Sequence, residues 1–207
     1  GYAALDAATQ DKIAALGAYH STQFSQANDL GDFPAEKEGT IYHGEAYLRP
    51  LVKVHPETSV KNLFVGRHAF GVPGLSRAES QDLLKSLVSF VVADEARVYT
   101  HDWQPGDTLI WDNRALLHRA KPYDYSQPRV LTGTRVAGDP ESELAYYPDD
   151  LRAEAGRQAL HDELEALKAE TQNRMFGGTT LDDKRGAIPL DPGVVGYNQD
   201  RQKQSHR

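Results

Sequence analysis

Cysteine is absent from the 207 residues. That excludes a disulfide framework, a thiolate nucleophile and any cysteine-ligated metal. It also fits a cytoplasmic protein, which is where we expect this one. No run of about 18 apolar residues occurs, so no membrane-spanning helix is expected. The first residues lack the basic-then-apolar order of a secretory signal. Positive charge is in deficit: 23 Lys and Arg stand against 30 Asp and Glu, for a net charge of −7. A protein that grips a phosphate backbone needs a basic face, so nucleic acid is not the expected partner. Apolar residues make up 39% of the chain, enough for one core. No internal repeat is found.

Periodicity gives a first map. Residues 2–16 carry helical spacing through Leu5, Ile13 and Leu16, with Gly17 as the stop. Ala18 to Phe24 is expected as a short strand. Residues 25–45, broken by Gly31, Pro34, Gly39 and Gly44, are expected as a loop, either a mobile surface loop or a lid. Leu51–Val54 and Asn62–Gly66 read as short strands. Ser76 and Glu79 form a capping box. A stripe of Leu83, Leu84, Leu87, Val88 and Val91 follows, predicting a helix over one face of a sheet. Further on, residues 150–172 are predicted helical. Leu160, Leu164 and Leu167 form a narrow seam there, better suited to a neighbour or a second subunit than to a core. The seam therefore suggests contacts within a homo-oligomer. From Met175 to Arg207 the chain is rich in Gly, Pro and Asp and is expected to be irregular.

The stretch from His101 to Arg135 organises the rest. Gln104-Pro105-Gly106-Asp107 is a turn, because Pro presets its φ and Gly tolerates a positive one. Strands are expected on both sides, over 96–103 and 108–111, and again over 130–136. Within this stretch Trp103 is followed by Asp107 and then by Trp111-Asp112-Asn113-Arg114. His118 stands seven residues after Trp111, and Arg129 eleven after His118.

This run resembles the C-terminal signature of the Fe(II)/2-oxoglutarate dioxygenases of the taurine dioxygenase and 2,4-dichlorophenoxyacetate dioxygenase family. RPLVKVHPET (residues 49–58) and NLFVGRHAFGVPGL (62–75) are similar to the phenoxyalkanoate-cleaving branch of that family. The resemblance covers residues 1–140. Its first residues match the middle of the family domain, so the chain is expected to be the C-terminal portion of a longer protein.

The resemblance implies roles residue by residue. His118 would be an iron ligand, one of a facial set of two His and one carboxylate that leaves positions open for 2-oxoglutarate and O2. Taken alone, a His after an apolar strand is more often structural. Arg129 would clamp the far carboxylate of 2-oxoglutarate, because a planar guanidinium meets a carboxylate with two parallel hydrogen bonds. Otherwise it is a surface Arg in an ion pair. Trp103 would line the co-substrate pocket and Trp111 would sit beside the metal; simple packing competes for both. Asp112, Asn113 and Arg114 read as braces of the turn. His68 would bind the substrate carboxylate or ether oxygen, or else be a buried strand His bonded to backbone. Many members carry a substrate-binding Arg four residues after the clamp. Gly133 stands there, and Arg135 on the same strand face would replace it or pair on the surface.

The other two iron ligands come in the family from a His-x-Asp or His-x-Glu pair, expected upstream of Gly1. The local matches are His43-Gly44-Glu45 and His161-Asp162-Glu163. The implied fold is mostly β with flanking helices, a double-stranded β-helix or jelly roll, incomplete in these residues. Residues 1–140 would be its C-terminal part and 141–207 a helical and irregular extension. The implied activity is oxidation of a small anionic organic substrate with release of succinate and CO2. Phenoxyalkanoate ether cleavage leads, and sulfonate or sulfate ester oxidation follows. The competing reading is a non-catalytic jelly-roll module for binding or assembly that has lost its iron site. A cupin-type metal enzyme would need a His-rich strand pair, which is not seen.

Overall fold

A computed structural model describes residues 1–124, 126–139, 141 and 151–176. Three helix starts follow from one device, a short polar side chain accepting from backbone N–H groups that the first turn leaves unbonded. Asp6 caps α1 (Ala7–Ile13) by accepting from Thr9 N at 2.9 Å. Ser21 caps α2 (Thr22–Leu30), accepting from Gln23 N and Phe24 N at 3.1 and 3.3 Å. Ser76 caps α3 (Arg77–Ala93), where the full predicted box forms: Ser76 Oγ accepts from Glu79 N, and the Glu79 carboxylate accepts from Ser76 N at 2.9 Å.

The α2 helix corrects the sequence map. Residues 22–24 are helical rather than extended, and residues 25–30 are helical rather than loop. Phe24 and Ala27 are buried on one side, while Gly31 ends the helix in the left-handed region at φ 65°. The expected helix over 2–16 is a 3-10 turn (Tyr2–Ala4) and then α1, because Asp6 restarts it. Gly17 opens a strand instead of closing a helix.

That strand, β1 (Gly17–His20), pairs antiparallel with β2 (Tyr47–Pro50), from Gly17 against Pro50 to His20 against Tyr47. A second antiparallel pair joins β3 (Val52–Val54) to β4 (Lys61–Leu63), shorter than the expected run to Gly66. Leu51 links the pairs: its N–H bonds Leu16 O at 2.9 Å, its carbonyl takes Phe64 N at 2.8 Å, and its side chain is fully buried. Residues 68–71 run along the free edge of β1, through Ser21 N to His68 O and Phe70 N to Tyr19 O.

Two cores result. One gathers Ile13, Leu51, Val65 and Val72 under the stripe of α3, Leu83, Leu84 and Leu87. The other gathers Tyr19, Phe24, Ala27, Ala46 and Phe70 against Leu160 and Leu167 of α4 (Leu151–Phe176). The leucine seam therefore docks on its own chain and is not left for a subunit. Gly156 permits the approach. A Cβ there would overlap the Ala46 carbonyl oxygen. Arg77 holds the same helix from α3, at 2.8 Å to Glu163 and 2.5 Å to Glu170.

Among the described residues, the strands expected over 96–103, 108–111 and 130–136 form no ladder. A 3-10 turn (Glu95–Arg97) stands at the start of the first. Ile110, Val130 and Val136 are 88%, 90% and 93% exposed. Alternating apolar residues mark which side chains a strand would bury, but a ladder also needs a facing edge. The sheets among the described residues are therefore two two-stranded pairs. No helix among the described residues is long and apolar enough to cross a membrane. The irregular tail expected over 175–207 lies, from residue 177, outside the described residues.

Candidate functional site

The turn before Asp107 forms as its composition demands. Gly106 sits at φ 94°, and Asp107 N bonds Gln104 O at 3.1 Å. The Asp107 carboxylate accepts from Gln104 N at 2.9 Å and meets His101 Nε2 at 3.0 Å. Trp103 packs edge-on against His101, with centroids 4.5 Å apart.

The next turn carries the tetrapeptide. Trp111 Nε1 donates to Asn113 Oδ1 at 2.8 Å, and Ala115 N closes onto Asp112 O at 3.1 Å. Asp112 takes Arg114 N, Nε and Nη2 at 2.7–3.1 Å. The Arg114 guanidinium and backbone N–H, and then His55, hold its carboxyl far below the usual carboxylate range. Asp112, Asn113 and Arg114 do brace the turn. Leu117 packs on the first core, and His118 stands exposed with its ring 5.2 Å from that of Trp111.

The remaining candidates are spread out. The Arg129 guanidinium lies over Tyr123, 5.0 Å from the ring centroid, and Arg135 is exposed. His68 lies at the edge of β1, exposed rather than buried, with Nδ1 2.7 Å from Ser25 Oγ. The Ser25 hydroxyl donates to Thr22 O, so it accepts from His68 Nδ1–H and leaves Nε2 as an acceptor. Packing around the ring, and then the Arg67 guanidinium, lower the His68 pKa.

His20 was given no role from sequence, and the structure makes it distinctive. Its ring lies 5.1 Å from Phe64, and Nε2 is buried with no partner among the described residues. Burial, then Arg49 and His68, push its pKa down to about 3. The unfolded value is near 6.5. The unfolded chain therefore binds the proton first, and acid favours unfolding. Stability is expected to be full above pH 6.5 and to fall between 6.5 and 3. The slope is at most about 1.4 kcal/mol per pH unit. Urea unfolding of His20→Phe against the parent checks this. The parent should lose stability relative to His20→Phe as the pH falls from 6.5 toward 3, and a constant offset would show that His20 is not the group responsible.

The two local carboxylate pairs are otherwise engaged. Glu45 accepts from Tyr47 and pairs with Arg157, while its own N–H bonds His43 Nδ1 at 3.2 Å. Glu163 is buried and held by Arg77 and Gln81. Among the described residues no group of three or more His, Asp or Glu could hold a metal. By themselves these residues do not make a whole iron site. His55 also escaped the sequence map; its bond to Asp112 spans 57 positions, a distance that no local pattern reports.

A family model described as "Taurine catabolism dioxygenase TauD, TfdA family" matches residues 2–135. The chain belongs to that family. The (S)-phenoxypropionate/alpha-ketoglutarate-dioxygenase of Sphingobium herbicidovorans is 46% identical over 149 residues, 70% of this chain and 51% of the relative. The protein of the same name from Delftia acidovorans is 45% identical over 150 residues, 70% of this chain and 50% of that one. The chain spans about half the length of the curated relatives it matches. Among solved structures, a crystal structure of AAD-2 in complex with Mn(II) and N-oxalylglycine aligns with a TM-score of 0.52 and 32% identity. It covers 61% of this chain and 49% of that one.

Proposed function

We propose that this chain serves an Fe(II)- and 2-oxoglutarate-dependent dioxygenase acting on a small anionic organic substrate. Phenoxyalkanoate ether cleavage is the leading reaction, and sulfonate or sulfate ester oxidation follows. The observation that carries this reading is the Trp111–Arg129 signature lying inside the family match, beside a 46% identical relative named for phenoxypropionate. In the same reading the described strands belong to a jelly roll, residues 1–140 to the dioxygenase domain and residues 141–207 to an extension. The protein would work in the cytoplasm.

With iron, 2-oxoglutarate and O2 together, such a site supplies oxidation of an unactivated C–H bond. The residues of this chain do the binding and orienting. His118 would contribute one imidazole ligand. Arg129 would leave Tyr123 to meet the distal carboxylate of 2-oxoglutarate with two parallel hydrogen bonds. Trp103 and Trp111 would wall the co-substrate off from water. His68 and Arg135 would take the substrate anion.

The test is anaerobic titration of the full-length protein with Fe(II) and 2-oxoglutarate, following the weak visible charge-transfer band of the chelate. Arg129→Lys is expected to weaken 2-oxoglutarate binding by roughly 10–100-fold, since an ammonium cannot supply the paired donors. Calorimetry reads this directly, and an unchanged affinity would remove Arg129 from the site. A second reading, a non-catalytic binding or assembly domain, rests on the missing three-ligand cluster among the described residues. No band and no heat of co-substrate binding would favour it.

A further inference from the structure

We propose that His55 is a positioning residue that acts through Asp112 to fix the segment Trp111–His118 on the β3–β4 hairpin. The inference deepens the dioxygenase reading in one respect, since it makes that segment part of a site. Every polar group of His55 is committed. Its N–H bonds Val60 O and its carbonyl takes Ser59 N, both at 2.8 Å, closing the hairpin loop. Nδ1 accepts from Glu57 N at 3.2 Å and from Thr58 N at 3.3 Å. Two donors on Nδ1 leave the proton on Nε2, so the tautomer is set by the loop. Nε2–H then donates to Asp112 Oδ2 at 3.1 Å. The ring is only 7% exposed, so it cannot swing away.

Asp112 passes the constraint on. Its two oxygens clamp the Arg114 side chain and backbone, and Arg114 Nη1 returns to Glu57 Oε1, 3.8 Å away on the hairpin loop. The ring of contacts His55–Asp112–Arg114–Glu57 closes on itself. Within the described residues, Leu117 on the first core is the other anchor of the segment. Between these anchors the Trp111 and His118 rings are brought to 5.2 Å. A donor of one fixed tautomer on a rigid loop is a design for orientation. An ion pair serving stability alone would not need the two backbone donors on Nδ1.

Hydrogen exchange of the full chain tests this, read on peptides spanning residues 108–120. His55→Leu is expected to raise exchange there by tenfold or more while α3 peptides stay at the parent rate. His55→Gln, which keeps a donor near the Nε2 position, should restore most of the protection. If His55→Leu does not fold, Asp112→Ala, at a partly exposed site, takes its place with the same expected pattern. Asp112→Ala added to His55→Leu should raise exchange by less than Asp112→Ala raises it in the parent, because the His55 contact is already gone and only the Arg114 contacts remain to be lost. Unchanged exchange at 108–120, or an equal rise over α3, overturns the proposal. Calorimetry with 2-oxoglutarate on the same samples keeps the two readings apart. A full-length parent that binds none in the presence of Fe(II) ends the dioxygenase reading, whereas the exchange pattern alone decides the brace.

Discussion

His118→Ala in the full-length protein is expected to abolish the Fe(II)–2-oxoglutarate charge-transfer band and to weaken metal binding by more than about 100-fold. Loss of an outer-shell partner alone costs about 10–100-fold, so loss of a ligand itself must exceed that. The described residues hold no cluster of three or more ligands that could take over. The same change should leave the fold alone. His118 is exposed, and among the described residues its ring meets that of Trp111. Surface substitutions of this kind stay within about 0.5 kcal/mol. The contrast is what makes the experiment informative, because binding disappears while the melting transition stays. A surviving band would remove His118 from the metal; a large drop in melting temperature would mean that the ring is structural after all.

Gly156→Ala is expected to cost about 2–4 kcal/mol, against the usual sign for that exchange in a helix. In an isolated helix Ala is better than Gly by about 1 kcal/mol. Here the added methyl meets the Ala46 carbonyl oxygen, which is backbone and cannot turn aside. The helix must lift. Leu160 and Leu167, 2% and 5% exposed, then lose contact with Tyr19, Phe24 and Phe70. Uncovering such a side chain fully costs about 1.5–3 kcal/mol, so partial loss of two outweighs the gain in propensity. Urea denaturation measures the difference. Gly133→Ala is the control, since nothing lies within 4 Å of its Cβ position. A Gly156→Ala chain as stable as the parent would mean that α4 does not rest on β2 in solution.

Sequence spoke most clearly where a chemical device is local. The Ser76–Glu79 box announced α3, and Gln104–Asp107 announced its turn, because each is complete within four residues. Ser21 was an equally good cap, but His20 and Tyr19 before it looked like a strand, and they are one. The strand and the helix abut without a loop, so a single periodicity could not describe both. For α4 the helix was legible and its destination was not. A leucine seam says that something will be covered, not by what. The same limit applies to the site. His118, Arg129 and the tetrapeptide were found through their spacing. His55 was overlooked because its partner lies 57 positions away. The exposed Ile110, Val130 and Val136 kept the alternation of strands without ladder partners, which shows that pattern proposes burial and pairing disposes of it.

The grip of Arg77 on Glu163, 86 positions later, makes everything between them a tied loop. Tying so long a loop costs entropy, but the cost grows only with the logarithm of its length. By loop entropy alone, extra residues between the two partners would therefore change the stability of this clasp very little. The clasp that α3 and α4 form is thus indifferent to the length of what lies between them, and the placing of Trp111 and His118 falls to the His55–Asp112 contact and to Leu117 instead.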